Sequence, residues 1–93
     1  MILVKRTLMI EEAALEAGIA MHRIQEWIEH EWIQPEDRNT STLDQEDIAR
    51  ARLIQNLIDD FGVNDESMLI ILHLLDQLHN LHYQLRRGGV VEE

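Results

Sequence analysis

The chain has 93 residues, a length that supports one domain with a modest core, so association with a second copy would add stability. Its formal net charge of −10 repels phosphate backbones and anionic membrane surfaces and attracts a basic partner protein. Hydrophobic residues make up 45% but aromatics only 4%, with one Pro and four Gly, so the core is aliphatic and a turn-rich all-β chain is excluded. There is no Cys, which removes disulfides and thiolate metal sites. The apolar start MILV is too short for a signal-peptide core, and no apolar run has bilayer length. The cytoplasm is the expected compartment.

In chain order, residues 2–8 (ILVKRTL) are apolar and β-branched around two cations and predict a short edge strand. Residues 10–17 predict a first helix, stopped by Gly18, where a tight turn needs positive φ or a close backbone approach. Residues 20–31 predict a second helix with Met21, Ile24, Trp27 and Ile28 on one face. With Ala14 in the first helix and Ile19 after the turn, this is helix-turn-helix spacing. Pro35 closes the unit, because the residue before a proline is pushed out of the α region.

The polar stretch 36–42 (EDRNTST) predicts an exposed loop or wing. Asp44 is the expected N-cap of a third helix that runs to about Asp60, with Asp47 in its first turn. Gly62 ends that helix. Asn64 or Asp65 caps a last helix that reaches about Arg87, where Arg86 and Arg87 suit the negative dipole end and Gly88-Gly89 stop it. Residues 90–93 read as a frayed tail. The expected division is therefore residues 1–63, a helix-turn-helix domain; 64–87, a long helix; and 88–93, a tail. In the last helix Ile71, Leu74, Leu78, Leu81 and Leu85 are spaced 3, 4, 3, 4, a heptad seam that Leu75 widens and that predicts a homodimer.

The second helix sets its own charge against its spacing. A DNA reader needs Arg and Lys there for phosphates and base edges. This helix offers Arg23 against Glu26, Glu29 and Glu31. Enzyme chemistry finds no support. Thr40, Ser41 and Thr42 have no His or Asp arranged around them, there is no glycine-rich phosphate loop, and the adjacent pairs Glu11-Glu12 and Asp59-Asp60 diverge on a helix. His73, Asp76, His79 and His82 recur every three residues, which a zinc ion could use, but without a tight His-Glu-x-x-His motif they read as solvated. No metal or other cofactor is expected. Trp27 falls on the apolar face with Ile24 and Ile28 and is expected in the core. Trp32 follows Glu31 at the helix end, where an exposed indole ringed by Glu29, Glu31, Glu36 and Asp37 would make an interface anchor; packing under the loop is the alternative.

The order AGIAMHRIQEWIEHEWIQP, polar wing, DQEDIARARLIQNLIDDFGV and long C-terminal helix resembles the MerR-type winged-helix regulators over most of the chain. That family tends to carry an Arg after the Ile of its reading helix, and an Arg and a Tyr at the wing end. This chain has Gln25, Ser41 and Leu43 there, which disfavours nucleic acid. The stretches IEEAALEAGI, WIQPE and LIDDFGVNDESMLIILHLLDQLHNLHYQLRR resemble the CbpM-type chaperone modulators of bacteria, short acidic chains of the same superfamily. That resemblance implies binding to the J-domain of a DnaJ-like (CbpA-type) co-chaperone and inhibition of its stimulation of the DnaK-type chaperone.

The resulting expectation is a mainly all-α, MerR-like winged helix-turn-helix with a short N-terminal strand or wing and a C-terminal dimerisation helix. It is a non-enzymatic binder of a J-domain and does not bind membranes. The expected partner contacts are Glu26, Glu29, Glu31, Trp32, Glu36 and Asp37, with Asp59, Asp60 and Phe61 as a second patch. The expected dimer contacts are Ile71, Leu74, Leu75, Leu78, Leu81 and Leu85. The alternative is a MerR-like DNA-binding regulator using Lys5, Arg6, Arg23 and Arg38 as a local basic patch.

Overall fold

The computed structural model describes residues 6–37 and 39–87, the side chains of Arg86 and Arg87 excepted. Residues 2–5 of the expected strand, with Lys5, lie outside the described residues, as do Arg38, Gly88-Gly89 and the expected tail. The elements are β1 (Thr7–Met9), α1 (Ile10–Ala17), α2 (Met21–Glu29), β2 (Thr42–Asp44), α3 (Gln45–Asp59) and α4 (Asp65–Arg87). This is the mainly α architecture expected, with one small two-stranded sheet. The chain divides between Val63 and Asn64 into two compact units.

In the first unit, β1 and β2 pair antiparallel, Leu8 opposite Leu43. The end of the polar wing is thus a strand that begins at Thr42, not loop throughout. The Ile10 amide donates to the Ser41 carbonyl, 3.1 Å, so α1 starts directly off the sheet. The Met9 amide donates to the Glu12 carboxylate, 3.3 Å, which closes the first turn. Gly18 ends α1 in the left-handed region, φ 74°, where a side chain would be strained. The Ile19 amide reaches the Ala14 carbonyl and the Gly18 amide the Leu15 carbonyl, the paired bonds of a Schellman ending.

α2 ends the same way without a glycine. The Glu31 amide donates to the Ile28 carbonyl and the Trp32 amide to the Trp27 carbonyl, 3.0 and 2.9 Å, with Glu31 at φ 66°. α3 begins at a reciprocal cap. The Asp47 amide donates to Asp44 Oδ1, 2.9 Å, and the Asp44 amide to Asp47 Oδ2, 3.1 Å. The core of this unit is Ala13, Ala14, Ile19, Ile24, Trp27, Trp32, Ile33, Leu43, Ile48, Ala51 and Ile54, aliphatic apart from two indoles.

The second unit is α4. Asn64 Oδ1 accepts from the Ser67 amide, 2.9 Å, and serves as its cap. At 100° per residue its apolar stripe is wider than one seam. Met68 and Leu72 are buried on one side, and Ile71 and Leu75 are half-buried at the middle. Leu74, Leu78, Leu81 and Leu85 continue the stripe on the other side, each more than half exposed. No described helix is long and apolar enough to cross a membrane.

Candidate partner-binding site

The site is built on α2 and the helix ends around it. Ile24 and Trp27 turn into the core, with Ile28 half-buried, and so fix which residues face out. Met21, placed on the apolar face by spacing, is exposed instead. The outward set is Met21, His22, Gln25, Glu26 and Glu29. Arg23, the one cation of the helix, is turned back on its own protein. Its guanidinium lies 5.2 Å from the Trp27 ring centroid, Nη1 donates to Gln55 Oε1 at 3.5 Å, and Nη2 stands 3.8 Å from Asp59 Oδ1. The half-exposed Arg23–Asp59 pair is worth little as stability. It does aim the guanidinium toward α3 and away from the outer face, and it ties the end of α3 to α2. The second expected patch, Asp59, Asp60 and Phe61, therefore neighbours the first, with all three residues exposed.

Arg50 and Arg52 likewise bond to their own protein. Arg50 Nε donates to the Trp32 carbonyl at 3.0 Å, and Arg52 Nη2 to the Glu16 carbonyl at 3.3 Å. Arg6 is exposed. Of the basic patch expected for a DNA reader, Arg23 is thus committed elsewhere, and Lys5 and Arg38 lie outside the described residues.

Glu26, Glu29, Glu31, Glu36 and Asp37 are exposed, as a contact surface requires. Glu26 Oε2 lies 3.7 Å from His30 Nε2, one turn on. Trp32 is the correction. It is 3% exposed, with its carbonyl held by Arg50 and its ring stacked on His30 at 4.9 Å between centroids. The left-handed Glu31 reverses the chain so that Trp32 follows Trp27 into the core, and an indole held there is no surface anchor. A glycine at position 31 would have signalled this ending; a glutamate hides it. The most exposed apolar side chains of the first unit are Leu15, 84% exposed, and Phe61, 74% exposed. Leu15 had no periodic signal to single it out.

No group of three or more metal-binding side chains is assembled among the described residues. The order of strand, helix-turn-helix, wing strand, capped helix and long C-terminal helix defines a winged helix-turn-helix fold. The model of the MerR HTH family of regulatory proteins matches residues 8–87, and the chain belongs to that family. Comparison with curated proteins and with solved structures gives no match.

Proposed function

We infer that this member of the family acts on a protein and not on DNA: it binds the J-domain of a DnaJ-like (CbpA-type) co-chaperone and restrains that co-chaperone's stimulation of a DnaK-type chaperone. The observation that carries this reading is the outer face of α2, where Gln25, Glu26 and Glu29 stand without a cation because Arg23 is spent on Gln55 and Asp59. A helix of that charge repels phosphate and suits the basic helix by which a J-domain engages its chaperone. The contact set is Glu26, Glu29, Glu31, Glu36 and Asp37, with Asp59, Asp60 and Phe61 beside them. Trp32 is dropped, since it is buried. The chain works as a homodimer through Leu74, Leu78, Leu81 and Leu85, with Ile71 and Leu75 at the edge of the seam. The reading places it in the bacterial cytoplasm and gives it neither catalysis nor a cofactor.

The test is the ATPase rate of a DnaK-type chaperone stimulated by a CbpA-type co-chaperone. Rising amounts of this chain should return the rate to its unstimulated level. An unaffected stimulated rate at saturating chain would remove the chaperone reading. Family membership favours a second reading, a DNA-binding regulator. Tight, salt-sensitive retardation of duplex DNA at low salt would select it.

A further inference from the structure

The corner between α1 and α2 holds an open apolar groove of about 440 Å³, lined by the small Ala14, Gly18 and Ala20 together with Leu15, Ile19 and Met21, with Glu11 as its charged member. Leu15 is 84% exposed and Met21 38% exposed, so two long apolar side chains of the lining stand in solvent beside residues with almost no side chain. A Cβ built on Gly18 meets nothing within 4 Å, so the space above the turn is open. The glycine is there for its φ of 74° and leaves the groove unfilled. The two helices that form the corner carry five glutamates and one arginine. Glu11, Glu12 and Glu16 are exposed on α1 and Glu26 and Glu29 on α2. Arg23 is held by Asp59, and Arg52 by the Glu16 carbonyl at the end of α1.

We propose that this groove docks a basic amphipathic helix of a partner protein, which inserts an aliphatic side chain between Leu15 and Met21 while flanking Lys or Arg side chains meet the glutamates of α1 and α2. The inference rests on the reading of this chain as a binder of a basic protein helix, and adds where the apolar anchor goes. Exposed apolar area supplies the hold and the acid rim the selectivity and encounter rate. The role once expected of Trp32 falls to Leu15, with Met21 as an adaptable second wall.

The test uses the full chain and two ligands. One is a labelled helical peptide with a single Leu ringed by Lys and Arg; the other is the J-domain of a CbpA-type co-chaperone. Wild type should bind the peptide, with affinity falling as salt rises. Leu15→Ser should weaken it about tenfold, as for an interface anchor. Glu11→Gln should weaken it about threefold and flatten the salt dependence. Bound peptide should shift the amide resonances of Ala14, Gly18 and Ala20, a readout that needs no variant. Absence of peptide binding by wild type, or binding that Leu15→Ser leaves unchanged, overturns the groove. J-domain affinity that is likewise unchanged in Leu15→Ser overturns the groove while the co-chaperone reading stands. Leu15-dependent peptide binding by a chain that never binds the J-domain supports the groove and removes that reading.

Discussion

Glu31 occupies a left-handed backbone position, φ 66°, where a residue with a Cβ is strained. For an L residue that conformation costs roughly 1–2 kcal/mol, part of which a glycine recovers. Glu31→Gly should therefore stabilise the fold by about 1 kcal/mol, a rise in Tm of roughly 4–8 °C for a domain of this size. A fall in Tm would show that the Glu31 side chain contributes more than its backbone costs. If Glu31 is also a partner contact, the same variant should bind the J-domain more weakly while melting higher. Asp44 is the opposite case. It is 7% exposed and its Oδ1 accepts from the Asp47 amide. Asp44→Ala should lower stability by about 1–2 kcal/mol in a denaturant titration, since it removes a buried cap. An unchanged midpoint would mean the bond contributes nothing.

Among the elements, what the sequence reveals depends on how local the cause is. α1 has the expected span because Gly18 is its own signal, and α3 begins where Asp44 and Asp47 say it must. α2 ends two residues early, at Glu29, because its ending is written in backbone bonds and not in a glycine. The β1–β2 pairing joins three-residue strands some thirty-five positions apart, too short and too distant for periodicity to show. Arg23 reads as a basic face residue in sequence, but its partners, Gln55 and Asp59, become visible only once α2 and α3 are packed. α4 shows the same limit. Its heptad is plain, but the sequence does not separate Met68 and Leu72, which are buried, from Leu74, Leu78, Leu81 and Leu85, which are exposed. The exposed row is the proposed dimer seam. Leu78→Asp should convert a dimer to a monomer in light scattering without loss of helix content, since a buried like-charge pair replaces a leucine contact. A monomeric wild type at high micromolar concentration would contradict the seam.

For the whole molecule the governing quantity is charge. A net charge of −10 on a winged helix-turn-helix opposes the polyanion that such scaffolds ordinarily meet. Arg23, Arg50 and Arg52 reinforce this by bonding to groups of their own protein, so among the described residues α2 offers no cation held free for phosphate contacts. Reversing the charge locally should weaken the protein partner and strengthen the nucleic acid. Glu26→Lys with Glu29→Lys should lower J-domain affinity by about tenfold, or about 1.4 kcal/mol, mostly through the association rate. An affinity equal to wild type would move the contact off α2.

The most direct measurement is a pair of anisotropy titrations at the same low ionic strength, one with a labelled CbpA-type J-domain and one with labelled duplex DNA. Saturable J-domain binding that weakens steadily with salt, beside no binding to the duplex, is the expected result. Salt-sensitive binding to the duplex with none to the J-domain would contradict it, and would return the acidic second helix to the role of a DNA reader.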